Sequence, residues 1–511
     1  MVTKTNLFAA SFLAVVLPLV AAGADKPNIV FILADDMGWG DVSVNNPASA
    51  IRTPHIDRLA GEGIRLTNAH APSSVCAPTR YGVLTGRYAW RTWMREGVLY
   101  VWDRALIPPE RMTIGSLLKG AGYMTGVFGK WHVGVDWVPV KGDPGDWENG
   151  TLMRFRDTVK NRISNRVIPR IDFSQPFRNG PRQLGFDRFF GYVDNPGTPF
   201  YARDDRPIDI EITPDSVSSP GYKREESDDL FVAEAIELMT DAQREKKPFF
   251  VYLPLSSMHH PLRAPARFNH VKGDGVRGPM IAWIDDSVRK ITEALDRLGL
   301  ADDTLLIFTS DNGPFYNGKV DRSTEPPRFI PSENHQPAGP FRGWKTGIWE
   351  GATRVPFTAR WPGRIKAGGT SDQLICLTDM LATFAAITGE KLPKHAGEDS
   401  VSVVPVLLGE NVVVRDTMIT HSYTGVVAIR QDSWKLILDT KGSGGVRGTA
   451  PDWQPIVTST VEQIGVTGVG QLYNLAKDPG EKNDLYSQHP EIVRRLIELL
   501  IDQRDTGRSR P

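Results

Sequence analysis

The sequence has only two cysteines in 511 residues, Cys76 and Cys376. A scaffold held by many disulfides is excluded, and at most one bridge is left open. Net charge is absent as well, since 60 Lys and Arg balance 60 Asp and Glu. That excludes a strongly basic surface drawing in nucleic acid or anionic membrane from a distance, so anion recognition has to be local. Beyond residue 22 no apolar run is long enough to cross a bilayer, and there is no internal repeat or low-complexity tract. What is left is an ordinary globular chain, long enough for one large α/β domain with an appendage.

The one long apolar run covers residues 7–22, follows a single charge at Lys4, contains Pro18 and ends in Ala22-Gly23-Ala24. It reads as a secretory signal peptide over residues 1–24, being short for a membrane span of about 20 residues. The chain is therefore expected to be exported, periplasmic or secreted, with no stable membrane anchor. In such a compartment a Cys76–Cys376 bridge is the plain structural reading. Against it, Cys76 stands in a polar, loop-like setting beside Ala77-Pro78, while Cys376 lies in apolar Leu374-Ile375-Cys376-Leu377.

Residues 27–34 form a continuous apolar run that ends in Asp35-Asp36-Met37-Gly38, as a fully buried parallel strand does. Helices are expected at 54–61, 112–120, 228–245 and 280–298, and strands at 123–128, 248–255 and 304–309. The alternation predicts an α/β fold with a mostly parallel sheet. Residues 136–220 and 316–340 are rich in Pro, Gly, Asp and Arg and read as long loops or insertions. From 399 onward short alternating runs at 425–438 and 470–475 and a helix at 490–502 predict a smaller antiparallel sheet with a terminal helix. The expected division is a catalytic domain over 25–398 and a C-terminal subdomain over 399–511.

Functional groups of open α/β sheets gather beyond the carboxyl ends of the strands. Asp35-Asp36, Lys130-Trp131-His132, His259-His260 and Asp311-Asn312 all follow predicted strands. Asp35, Asp36 and Asp311 with the amide oxygen of Asn312 make an all-oxygen set, which suits Ca²⁺ or Mg²⁺ and not zinc. Each pair alone could equally be a helix cap or turn.

Cys76-Ala77-Pro78-Thr79-Arg80, followed by Leu84-Thr85-Gly86-Arg87, resembles the signature of the formylglycine-dependent sulfatases of the arylsulfatase and N-acetylgalactosamine-6-sulfatase kind. Asn28-Ile29 with Asp35-Asp36-Met37-Gly38-Trp39-Gly40-Asp41 resembles that family's N-terminal pattern, and Gly129-Lys130-Trp131-His132-Val133-Gly134 its second signature. His259-His260-Pro261-Leu262-Arg263-Ala264-Pro265 resembles its histidine segment, departing from it with Met258 where proline is usual. Gly343-Trp344-Lys345 through Glu350-Gly351 to Arg354-Val355-Pro356 resembles its lysine segment. The matches keep the family order from Asn28 to Pro356.

The resemblance implies an alkaline-phosphatase-like α/β sandwich and hydrolysis of sulfate esters. It implies that a formylglycine-generating or sulfatase-maturating enzyme converts Cys76 to formylglycine, whose hydrate attacks sulfur. One calcium ion would be held by Asp35, Asp36, Asp311, Asn312 and converted Cys76. Arg80 would hydrogen-bond the hydrate, given that residues four apart share a helical face. Lys130, His259 and Lys345 would bind sulfate, His259 or Lys345 would protonate the leaving oxygen, and His132 would assist expulsion of sulfate. His260 is the alternative to His259, and Glu350 with Arg354 reads as a structural ion pair. The implied substrate is a sulfated carbohydrate, for which Trp90, Trp93, Trp102, Trp131, Trp137 and Tyr201 offer rings that could stack on sugars or else pack in the core. Two other readings stay open: a phosphonate or phosphate ester hydrolase of the same superfamily, and a non-catalytic protein that binds sulfated glycans.

Overall fold

The computed structural model describes residues 26–143, 170–213, 216–315, 319–321, 328–330, 335–439 and 470–510. The expected signal peptide lies outside them. Among the described residues no helix is long and apolar enough to cross a membrane.

Ten strands form the main sheet, in the order Gly369–Ser371, Ile64–Leu66, Phe357–Arg360, Thr304–Ser310, Asn28–Ala34, Phe249–Pro254, Met124–Lys130, Arg188–Tyr192, Ala202–Arg203 and Arg206–Pro207. The central five, from Thr304–Ser310 to Arg188–Tyr192, are mutually parallel. Antiparallel partners flank this block on both sides. The opening strand explains the layering. Its seven residues are all buried, and alternate side chains enter different cores. Ile29, Phe31 and Leu33 pack with Ala77, Tyr81 and Leu84 of the helix Cys76–Thr85 and with Met380, Leu381 and Phe384 of the helix Met380–Thr388. Val30, Ile32 and Ala34 pack with Phe231 and Leu238 of the helix Ser227–Glu245 and with Trp283 and Ile284 of the helix Arg277–Arg297. Both faces are thus covered, the reason the strand is apolar from Ile29 onward.

A separate antiparallel sheet follows, built from Thr417–His421, Val427–Gln431, Trp434–Ile437 and Gln471–Asn474. Ile419, Ile429, Leu436 and Leu472 share a core with Val493, Leu496, Ile497 and Leu500 of the terminal helix Pro490–Asp505. The alternating run read at 425–438 is two strands, joined through Asp432 at φ +53°.

Several expectations are corrected. The helix read from 112 begins at Ile114, because Thr113 accepts the Ser116 amide at 3.0 Å and caps it. The stretch read as loops over 136–220 contributes the parallel strand Arg188–Tyr192. Cys76 and Cys376 are both buried and free, in keeping with the reading against a disulfide.

Candidate active site

Five adjacent parallel strands end at one edge of the sheet, and each runs into a residue with chemistry. Thr304–Ser310 leads to Asp311-Asn312, Asn28–Ala34 to Asp35-Asp36, Phe249–Pro254 to His259, Met124–Lys130 to His132, and Arg188–Tyr192 to Asp194. Asp36 and His132 lie at φ +63° and +57°. Left-handed backbone costs a non-glycine residue about 1–2 kcal/mol, and here it turns the chain sharply just past the strand.

Asp35, Asp36 and Cys76 present ligand atoms within 4.8 Å of one another. Asp311 joins them, its Oδ1 accepting the Asp36 amide at 3.2 Å and its Oδ2 accepting Arg80 Nε and NH2 at 3.0 and 2.7 Å. Asn312 donates Nδ2 to Asp36 Oδ1 and to the Gly313 carbonyl, both at 2.8 Å. Its own Oδ1 is buried without a hydrogen-bond partner. An unsatisfied buried acceptor costs about 1–3 kcal/mol, and a hard cation is a partner that would satisfy it. Burial and the charge of Asp35 push the Asp311 carboxyl up, as expected of crowded like charges. The four groups therefore fit a divalent cation bound through oxygen.

Cys76 is the first residue of a helix in which every residue is buried. Its Sγ lies 3.7 Å from Asp35 Oδ1. Burial pushes the thiol up, but Lys130 and Lys345 outweigh burial and bring it below its ordinary value. Arg80 shares the helix, and its described hydrogen bonds go to Asp311 and, at 2.7 Å, to the Lys130 carbonyl. From one helix it braces the ends of two strands that have two others between them in the sheet.

The three carboxylates draw in the two lysines as counter-charges. Lys130 Nζ is 2.6 Å from Asp35 Oδ2, and Lys345 Nζ is 2.6 and 2.7 Å from the two oxygens of Asp36. Burial pushes Asp35 up, but Lys130, His259, Arg80 and Lys345 hold it well below the usual carboxylate range. With Arg80, three cations match three carboxylates, and a bound divalent ion would leave positive charge in excess, as an anionic ester requires.

His132 Nε2 lies 2.9 Å from the Leu99 carbonyl and 3.0 Å from Asp194 Oδ1. Burial and Lys130 push the ring down, but Asp194 and the Cys76 thiol prevail and raise it to about 9. His259 is partly buried and places Nδ1 2.9 Å from the His260 carbonyl. Burial, then Lys130 and Lys345, lower it to about 4, so it is neutral at pH 7. His260 is exposed, edge-on to the Phe315 ring at 4.7 Å.

Three supporting carboxylates were not found from sequence. Asp194 follows the strand that the loop-like composition of 136–220 concealed; the apolar Phe189-Phe190-Gly191-Tyr192 before it is the signal. Asp41 stood inside a motif with no role: it accepts the Gly38 amide at 2.6 Å, Arg277 Nε at 2.8 Å and a His335 contact at 2.7 Å, fixing the chain just past Asp35-Asp36. Asp228 accepts the amides of Ser256 and Ser257 at 2.9 and 3.1 Å, holding the turn before His259. No sequence pattern announces this last one. Of the two readings of the aromatic side chains, core packing is the one observed: Trp131 is wholly enclosed, Trp90, Trp137 and Tyr201 are buried, and Trp93 and Trp102 pack on the core.

A family model described as Sulfatase matches residues 27–390. The N-acetylgalactosamine-6-O-sulfatase of Bacteroides thetaiotaomicron is 32% identical over 506 residues, covering 93% of each chain. Human arylsulfatase A is 31% identical over 510 residues, covering 94% of this chain and 89% of that protein. A solved structure from work on the metabolism of multiple glycosaminoglycans by Bacteroides thetaiotaomicron is 29% identical, with a TM-score of 0.76 over 93% of this chain and 99% of that one. The extent of these matches and the shared sheet lead to one assignment: the chain belongs to the sulfatase family, and its reaction is the hydrolysis of sulfate esters.

Proposed function

We propose that the protein removes sulfate from a sulfated carbohydrate by means of formylglycine formed from Cys76, beside calcium held by Asp35, Asp36, Asp311, Asn312 and converted residue 76. The observation that carries the reading is the gathering of Asp35, Asp36 and Cys76 within 4.8 Å, with Lys130 and Lys345 bound to the two aspartates. The carbohydrate assignment is supported by the relatives named for N-acetylgalactosamine-6-sulfate and by work on glycosaminoglycans. The expected export agrees with an N-terminal leader over residues 1–24.

Calcium, when bound, would neutralise the ester anion and steady the charge that develops as the ester bond breaks. A hydrated formylglycine would supply two hydroxyls, one to attack sulfur and one through which sulfate is later expelled without water attacking sulfur. The remaining work belongs to the chain. Arg80 offsets part of the push that burial and Asp35 give the Asp311 carboxyl, and it braces the Lys130 carbonyl. Lys130 and Lys345 stand ready to transfer their ammonium groups from carboxylate to sulfate oxygens. The departing ester oxygen takes its proton from Lys345, or from His259 once that neutral ring has taken up the proton lost by the attacking hydroxyl. His132, positioned by Asp194, interacts with the hydroxyl that loses its proton as sulfate is released, and as a cation at pH 7 it steadies the negative charge that forms there.

Tryptic mass spectrometry of the Cys76 peptide from the native source is the test. The expected result is a peptide mass reporting an aldehyde or its hydrate at position 76. A thiol throughout would favour a glycan-binding protein without catalysis. Faster cleavage of aryl phosphate than of aryl sulfate would favour the phosphate or phosphonate ester reading, against which the lysines and histidines around the single oxygen-ligand set argue. A panel of defined sulfated sugars then identifies the substrate.

A further inference from the structure

The segment that bears Lys345 is held from the far side of the molecule. Lys345 itself is anchored by its amide to the Pro314 carbonyl at 3.0 Å. The next residue, Thr346, sits at φ +78°, a region that a β-branched residue rarely occupies and that the surroundings must enforce. Its amide donates to Ser74 O, two residues before Cys76, and its carbonyl accepts the Tyr423 amide, from the small C-terminal sheet, at 3.1 Å.

Four residues further on, Glu350 opens a short helix and lies at the centre of a buried set of charges. Its Oε1 is 3.1 Å from Lys435 Nζ, and its Oε2 is 3.4 Å from Arg354 and 3.7 Å from both His70 and Arg430. Lys435 also lies 2.9 Å from Glu481 Oε1, while Glu481 Oε2 accepts the Glu350 amide at 2.6 Å. The Glu481 carbonyl accepts Arg342 NH1 at 2.9 Å, so the Lys345 segment is gripped at both ends. Lys435 lies on the strand Trp434–Ile437 and Glu481 follows Gln471–Asn474. Both side chains are almost completely enclosed, and neither touches the catalytic cluster.

We propose that Lys435 and Glu481, supplied by the C-terminal sheet, are positioning residues that set the reach of Lys345 in the active site. This rests on the role given to Lys345 above. A lysine that grips sulfate and protonates the leaving oxygen has to be placed within a fraction of an ångström, and misplacement of about 1 Å costs about 100-fold in rate. The same contacts in a merely stabilising role would lower the melting temperature and leave every substrate affected alike.

The test compares Lys435→Met, Glu481→Gln and Lys435→Arg in the mature enzyme on aryl sulfates with good and poor leaving groups. Lys435→Met is expected to fold, because Glu481 can take up a proton in the absence of the lysine, and Glu481→Gln keeps the acceptor for the Glu350 amide. The expected result is a loss of about tenfold or more in kcat on the poor leaving group, a smaller loss on the good one, and recovery in Lys435→Arg. In a double-mutant cycle, Lys345→Met combined with Lys435→Met should lose no more than Lys345→Met alone. Leu496→Ala, in the terminal helix away from these contacts, should lower stability without changing the leaving-group pattern. Additive losses, or an equal loss on all substrates, would overturn the proposal while leaving Lys345 in its role. A Lys345→Met variant with full activity would overturn that role and the proposal with it.

Discussion

His259 and His260 are neighbours in sequence but not in environment. His259 is partly enclosed, feels Lys130 and Lys345, and has its Nδ1 set by the His260 carbonyl, whereas His260 lies in the open against Phe315. His259→Ala is therefore expected to lower kcat/KM on an aryl sulfate by about 10²–10³, the size typical of a lost acid–base or charge-stabilising group. His260→Ala should change it by less than about tenfold, and steady-state kinetics on the two variants decides the matter. At this scale the sequence was informative wherever a residue sits in a motif: Asp35, Asp36, Cys76, Lys130 and Asp311 come within one cluster. It was silent on the residues that hold them. Asp194 and Asp228 act on residues far from them in sequence, His132 and Ser256-Ser257, and such contacts leave no local pattern. Helical spacing placed Arg80 on the face of Cys76 but did not report that its guanidinium also reaches Asp311 and the Lys130 carbonyl.

Elements that are buried on both faces were legible because their composition reports it. Asn28–Ala34 and Thr304–Ser310 carry unbroken apolar runs, Ile29 to Ala34 and Leu305 to Phe308, and keep their polar residues to the strand ends. Arg188–Tyr192 was hidden because it begins with a charge and includes a glycine, and its outer neighbours are strands of two residues. The strand Thr417–His421 adds a pH dependence of its own. Burial pushes the His421 ring down to about 4, while its carbonyl accepts the amide of Ser74 at 3.1 Å. The unfolded chain takes up this proton near pH 6.5 and the folded one only near pH 4. The contribution is therefore intact above pH 6.5 and is lost as pH falls, by about 2–3 kcal/mol at pH 4.5. His421→Gln should remove that part of the slope, which urea melts at pH 7 and pH 4.5 can measure.

Across the whole molecule, the five parallel strands act as one positioning device: their order sets the order of the functional groups along the edge. That convergence was readable in outline from the rule that function gathers beyond strand ends, while strand order was not, because sequence does not state which strands are neighbours. A cation shared by Asp35, Asp36, Asp311 and Asn312 would tie two of these strands together. Chelation of the mature enzyme is then expected to lower its stability by about 3–4 kcal/mol relative to calcium at 100 to 1,000 times its dissociation constant. Activity should fall in parallel and return with calcium, as followed by thermal melts and elemental analysis.

The burial of Cys76 with the whole of its helix has a consequence in time. A second enzyme can take hold of this peptide only while it is still an extended strand of unfolded chain. Once the helix is seated between the sheet and Met380–Thr388, the thiol is sealed. Under the proposed conversion, competence would be decided by a race between oxidation and folding during biosynthesis. Molecules that fold first would remain intact, correctly shaped and permanently inert.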